Sequence, residues 1–265
     1  MCNFYKVCIF NTIEFQKKDK IRLYLYKKQK FKKIIVFHEL NNIMKKDIHN
    51  FNIIVLKKFN NNFPVYEVNP HFYGFYLYHN KSKITNFIIV GGVKSFRKNF
   101  LLLFKNIEKL INNNIFNFHV TIIGYFIGKN FKKLLYKKKL SDFVNFIEKL
   151  PYDKMYDYVS KGDFFLPLLD PKKHYRYLKE KTSGSFQLVY GLNIPMIIEK
   201  KFAEKYKFNN SNSVIYETNE KFFDKLNYSI NMKNEEYIKL KYNLKIKTDE
   251  IEKNSIENLK LILSK

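Results

Sequence analysis

From Phe87 to Glu217 short apolar runs alternate with helical patterns. The runs are FIIVGG (87–92), FHVTIIG (118–124), FVNFI (143–147), DFFLPL (163–168), IPMII (194–198) and SVIYE (213–217). Between them lie a helical pattern from Phe100 to Asn112, with Leu102, Leu103, Ile107, Leu110 and Ile111 as its apolar positions, a basic helix or loop over Gly128–Lys139, and a helix from Tyr152 to Ser160. A further helix begins over Ser185–Tyr190, with Gly191 placed to cap it, and KFAEKYKF reads as another. Continuous apolar runs of this length suit parallel strands covered on both faces. Their alternation with helices predicts a doubly wound parallel sheet. Such sheets bind ligands outside the carboxyl ends of the strands, at a topological switch point. Gly91, Gly92, Gly124, Leu150, Pro151, Pro167 and the 181–184 turn therefore share one rim.

The first 75 residues read as part of a second α/β layer. KIIVF (33–37), NIIVL (52–56) and PVYEV (64–68) are strand patterns, with a short helix expected near Asn41–His49. NPHFYG (69–74) closes that layer, and residues 75–86 read as a hinge. Residues 1–30 give little pattern; the lysine-crowded stretch 16–33 reads as an edge strand or a loosely held segment. The tail from Asn219 is helical in pattern.

The 265 residues suffice for one large domain or two smaller ones. No run of about 18 uncharged apolar residues occurs, so no transmembrane span is expected. The amino terminus lacks the basic segment and small-residue cleavage site of a secretory signal. Cys2 and Cys8, the only cysteines, provide neither a disulfide framework nor an all-cysteine zinc site, which fits a reducing compartment. The net charge of +25 resembles a nucleic-acid signal. However, only three of the 49 basic residues are arginine, and Ala203 is the only alanine. Lys, Asn, Ile, Phe and Tyr, all abundant, have AT-rich codons, so nucleotide bias explains much of the charge. A base reader would favour arginine for bidentate contacts. Where composition runs against Gly, Pro and Arg, the ones present carry more information.

Four groups of residues could carry chemistry. Gly91 and Gly92 after a strand let the backbone approach a ligand, and Arg97 and Lys98 then lie at a helix amino terminus, where an anion is favoured. The segment is neither GxGxxG nor a P-loop. Lys181, Thr182, Ser183 and Gly184 lead into a helix; the hydroxyls suit an N-cap, and the amides suit an anion. Asp163 and Asp170 lack metal-ligand spacing and read as turn residues. Of the six histidines, His38 ends a strand and His71 sits in the closing turn; either suits a general base.

In this order, FIIVGGVKSFRKN, a strand ending in glycine, FVNFIEKLPYDKMYDYVSKGDFFLPLLDP and KTSGSFQLVYGLNIPMII resemble the C-terminal half of GT-B glycosyltransferases of the group-1-like kind. The likeness spans roughly residues 62–225 and is clearest over 87–200. It implies a GT-B-like α/β fold: a Rossmann-like parallel-sheet C-terminal domain with a shortened N-terminal α/β layer. The expected division is 1–80 for the reduced acceptor side, 81–235 for nucleotide-sugar binding, and 236–265 for helices packing back toward the N-terminal domain. By the same resemblance, Gly91, Gly92, Arg97 and Lys98 meet the donor diphosphate. Lys181, Thr182, Ser183 and Gly184 lie at the donor phosphates or sugar, and Leu150, Pro151, Tyr152 and Met155 border the base.

The implied activity is transfer of a sugar from a nucleotide-sugar donor to a hydroxyl of a glycan, lipid or protein, without a metal or cofactor. The implied setting is cytoplasmic, with a lysine-rich surface suited to an anionic membrane face and no specific nucleic-acid partner. The sequence departs from the family in two places. Glu180 stands near the first of a glutamate pair that many retaining members carry, but the second position falls at Gln187 or Leu188. At most 80 residues precede the donor domain, short for an acceptor domain. A non-catalytic remnant acting as a binding module is the alternative, followed by a basic nucleic-acid-binding protein.

Overall fold

Parallel strands organise both halves of the chain. The computed structural model describes residues 7–10, 32–39, 51–59, 64–69, 79–93, 98–125 and 140–264. Two units divide it: Met1–Pro70 with Lys179–Ser183 and Asp249–Lys265, and His71–Leu178 with Gly184–Thr248.

The first unit holds β1 (Val7–Phe10), β2 (Lys32–Phe37), β3 (Asn52–Val55) and β4 (Val65–Glu67), in the order β1-β2-β3-β4 and all parallel. Ile34, Ile54, Val68 and Ile262 form its core cluster. Ser255 accepts the Asn69 amide at 3.0 Å, and Asn258 donates to the Glu67 carbonyl at 2.8 Å. The expected strands at 33–37, 52–56 and 64–68 are present; the first begins one residue earlier, and the others are trimmed by one and two residues. β1 had no counterpart in the sequence reading.

The second unit holds β5 (Thr85–Val90), β6 (Phe118–Gly124), β7 (Val144–Glu148), β8 (Phe164–Phe165), β9 (Ile197–Glu199) and β10 (Val214–Tyr216). β7-β6-β5-β8 form one parallel sheet and β10-β9 a second. A parallel bridge between Phe165 and Met196 joins them. The order across the joined sheet is therefore β7-β6-β5-β8-β9-β10, the doubly wound arrangement, with its reversal between β5 and β8. The doubly wound parallel sheet expected from the sequence is the fold observed.

The helices are α1 (Phe100–Asn112), α2 (Tyr152–Ser160), α3 (Arg176–Lys179), α4 (Gly184–Leu192), α5 (Lys200–Lys205), α6 (Phe222–Asn231) and α7 (Asn234–Ser264). α1 buries Phe100, Leu103, Phe104, Ile107 and Leu110 on one stripe, the spacing of an amphipathic helix. Asn99 caps it by accepting the Leu102 amide at 3.4 Å, which satisfies one of the free donors of the first turn. Gly191 is not a cap: α4 runs through it to Leu192, and Asn193, with φ 51°, makes the left-handed exit. KFAEKYKF is helical only to Lys205, because Lys207 turns left-handed with φ 56°. The expected helices at 41–49 and 128–139 lie outside the described residues, as do most of the closing turn, His71 and Arg97.

Candidate functional site

The carboxyl ends of β5, β6, β7 and β8 lie on one edge of the second unit, because all four strands are parallel. At the end of β5, Gly91 has φ 123°, a conformation open to glycine, and its amide donates to the Ile123 carbonyl at 2.9 Å. A side chain on Gly124 would stand 2.0 Å from the Gly91 carbonyl oxygen. The two strand-end glycines thus let β5 turn closely over β6.

Lys98 reaches into the reversal between β5 and β8. It is 6% exposed. Its ammonium donates to the Pro167 carbonyl at 3.0 Å and lies 3.4 Å from the Ser185 hydroxyl, and its Cε lies 3.5 Å from where a Gly91 Cβ would stand. One side chain thus touches the end of β5, the segment after β8 and the first turn of α4. Burial pushes its pKa down to about 8, because a low-dielectric surround disfavours the charged form.

The loop after β8 is clasped to the start of α1. The Asn99 amide donates to the Leu168 carbonyl at 2.9 Å, with Leu168 at φ 51°. Asp170 accepts the Lys172 and Lys173 amides at 2.9 and 3.2 Å, the turn chemistry expected of it. Its own amide donates to His174 Nδ1 at 2.8 Å.

The remaining sequence candidates fall in several places. Gly184 opens α4, Gly92 follows Gly91, and Thr182 and Ser183 are buried just before α4. Lys181 is ion-paired with Glu39, and their backbones form an antiparallel bridge in the first unit. His38 is half-buried at the end of β2. Leu150, Pro151, Tyr152 and Met155 lie at the end of β7 and the start of α2; the Met155 amide donates to the Pro151 carbonyl at 2.8 Å, and Tyr152 is 76% exposed. α2 packs against α4.

Three features escaped the sequence reading. Ser185 joins Lys98. Gln187 is buried on the first turn of α4, and its Oε1 has no hydrogen-bond partner among the described residues. Asp163 is not a turn residue: it is fully buried and accepts the Ser82 and Asn86 amides at 2.9 and 2.7 Å. An open groove of about 690 Å³ runs along Leu102, Lys105 and Lys109 of α1, and none of the candidate residues lines it. Among the described residues, no three His, Cys, Asp or Glu gather in a way that could hold a metal. No described helix is long and apolar enough to cross a membrane.

No protein-family model and no curated protein matches the sequence. Solved structures do. TarM is 12% identical, with a TM-score of 0.67 over 97% of this chain and 54% of TarM. WaaG, a glycosyltransferase involved in lipopolysaccharide biosynthesis, is 12% identical, with a TM-score of 0.54 over 91% of this chain and 70% of WaaG. An α,α-trehalose-phosphate synthase (UDP-forming) from Burkholderia xenovorans, in complex with glucose-6-phosphate, is 8% identical, with a TM-score of 0.51 over 69% of this chain and 43% of that enzyme. The chain therefore spans about half the length of TarM. At these identities the likeness is one of fold. The chain carries a mixed α/β, parallel-sheet fold like that of TarM and WaaG.

Proposed function

We propose that the protein is a glycosyltransferase whose second unit binds a nucleotide-sugar donor at the reversal between β5 and β8. Lys98 carries the reading. Among the described residues this buried ammonium meets one carbonyl and one distant hydroxyl, which compensate it poorly. A diphosphate beside it would supply the missing charge. The first amides of α4 point the same kind of partial charge at an anion. Lys181, Thr182, Ser183 and Gly184 precede or open that helix, and Arg97 neighbours Lys98 in the chain. The Gln187 oxygen, without a partner among the described residues, suits a ligand hydroxyl on the sugar or ribose. Leu150, Pro151, Tyr152 and Met155 offer apolar and aromatic surface to the base.

In the transfer step an acceptor hydroxyl oxygen bonds to the sugar's anomeric carbon, and the bond from that carbon to the β-phosphate oxygen breaks. The hydroxyl proton passes to a base. Negative charge gathers on the departing diphosphate, where Lys98 and the α4 amides stabilise it without a metal. The acceptor is a glycan, lipid or protein hydroxyl. The excess of 49 basic over 24 acidic residues favours work at the cytoplasmic face of an anionic membrane; flotation equal on neutral and anionic vesicles would remove that placement.

A panel of nucleotide sugars, with and without an acceptor extract, tests the reading by the nucleoside diphosphate released. Release of one diphosphate, faster with acceptor, is the expected result. Saturable binding with no release would assign a donor-binding module that does not transfer. Neither binding nor release by a folded sample would reject the site.

A further inference from the structure

A buried polar cluster sits at the opposite edge of the same sheet, outside the site described above. It joins the segment before β5 (His79, Lys81, Ser82), Gly162 and Asp163 before β8, the end of α6 and the first turns of α7. Asp163 is fully buried and already holds two backbone amides. Tyr237 is buried as well, and its hydroxyl donates to the Asp163 carbonyl at 3.2 Å. The same hydroxyl oxygen lies 3.4 Å from His79 Nε2, which is 4.0 Å from Asp163 Oδ1. On the other side of the ring, Lys241 Nζ lies 3.5 Å from His79 Nδ1. Lys81 donates to the Ile230 carbonyl at 2.8 Å, and its amide donates to the Asn234 side chain at 3.0 Å.

A charged Lys241 beside Nδ1 selects one arrangement of protons. The Tyr237 hydroxyl has a single proton, which it gives to Asp163. With Nδ1 facing the Lys241 ammonium, His79 carries its hydrogen on Nε2, facing the Tyr237 oxygen and the Asp163 carboxylate. Nδ1 is left as the acceptor for the Lys241 ammonium, which a lysine can only approach as a donor. A proton added at Nδ1 removes that acceptor. It also sets two positive charges about 3.5 Å apart, with Lys81 as a third nearby. Asp163 offsets part of this, but its oxygens are already committed to amides. The His79 side chain is 30% exposed, so a proton from solvent can reach it.

We propose that His79 is an acid-sensitive latch on α7: protonation at Nδ1 expels Lys241 from the ring and loosens the first turns of α7 from the amino-terminal edge of the sheet. The direction agrees with the environment of the ring. Burial, and then Lys241, hold His79 below the usual histidine range, against the opposing pull of Asp163 and the Gly162 carbonyl. A base depressed in the folded state favours folding while it stays neutral. That contribution is present above the unfolded pKa of about 6.5 and is lost as pH falls through the lower folded value.

The test is hydrogen exchange of the Tyr237–Leu244 amides at pH 7.5 and pH 5.5, corrected for the intrinsic rate, in the full chain and in His79→Gln. Glutamine keeps an acceptor for Lys241 but takes up no proton. Wild-type exchange in this segment should rise more between pH 7.5 and pH 5.5 than exchange in the variant does. Equal exchange in the two proteins would overturn the latch. Should His79→Gln not fold, an NMR titration of the wild-type ring decides alone: a His79 pKa below the ordinary value with Nε2 protonated supports the proposal, and one above it refutes it.

Discussion

Replacing Lys98 with methionine should make the unliganded protein more stable and its nucleotide binding weaker. Burial takes the Lys98 pKa from 10.5 to about 8. At about 1.4 kcal/mol per unit, holding that ammonium charged at neutral pH costs the folded state about 3 kcal/mol. Methionine fills a similar volume without the charge. It gives up the 3.0 Å bond to the Pro167 carbonyl, and leaving that acceptor unpaired costs about 1–2 kcal/mol. The net expectation is a gain of about 1–2 kcal/mol, or a melting temperature higher by about 2–6 °C. Binding moves the other way. Losing a charge-assisted contact worth about 1.5–3 kcal/mol weakens a nucleoside diphosphate by about 10–150-fold. Scanning calorimetry at pH 7 and isothermal titration on the same two proteins read both effects. A variant less stable by more than about 1 kcal/mol that binds nucleotide within about twofold would refute the reasoning, because Lys98 would then be a structural brace.

Other substitutions and conditions test the remaining assignments. Gly124→Ala places a methyl 2.0 Å from the Gly91 carbonyl; it should cost about 3 kcal/mol by denaturant melt and weaken nucleotide binding with it. Asp163→Asn leaves a neutral amide facing two backbone donors, and a loss of about 3–5 kcal/mol is expected, against little change for Asp157→Asn on the exposed face of α2. Asn99→Ala removes the α1 cap and should cost about 1 kcal/mol. Lys98 and Lys241 are both depressed to about 8 by burial. The unfolded chain therefore binds more protons between pH 8 and about 10.5, so apo stability should rise with pH across that window, and less steeply in Lys98→Met. A flat or falling profile from urea melts would contradict the burial of both ammonium groups.

The second unit was the more legible half of the sequence. Its strands are continuous apolar runs because helices cover both faces of a parallel sheet. α1 and α2 were readable at both ends from periodicity alone. β1 was not, since VCIF is followed by a long lysine-rich stretch with no amphipathic order. β8 keeps only Phe164 and Phe165 as strand, because Pro167 and the left-handed Leu168 turn the chain toward α1. Gly91, Gly92 and Lys98 could be named from local pattern. The partners of Lys98 could not: Pro167 and Ser185 lie 69 and 87 residues away in the chain. Asp163 was misread for the same reason. Its amide donors are 81 and 77 residues distant, and nothing local distinguishes a buried carboxylate from a turn.

The most direct measurement is an NMR titration of the Lys98 side chain, alone and with each of a panel of nucleoside diphosphates. The free protein should show a pKa near 8, and one saturating nucleotide should raise it, because a bound diphosphate restores the charge compensation that burial removes. A Lys98 pKa that stays the same while nucleotide saturates the protein, or a folded sample that binds none of the panel, would contradict a donor site at the reversal between β5 and β8.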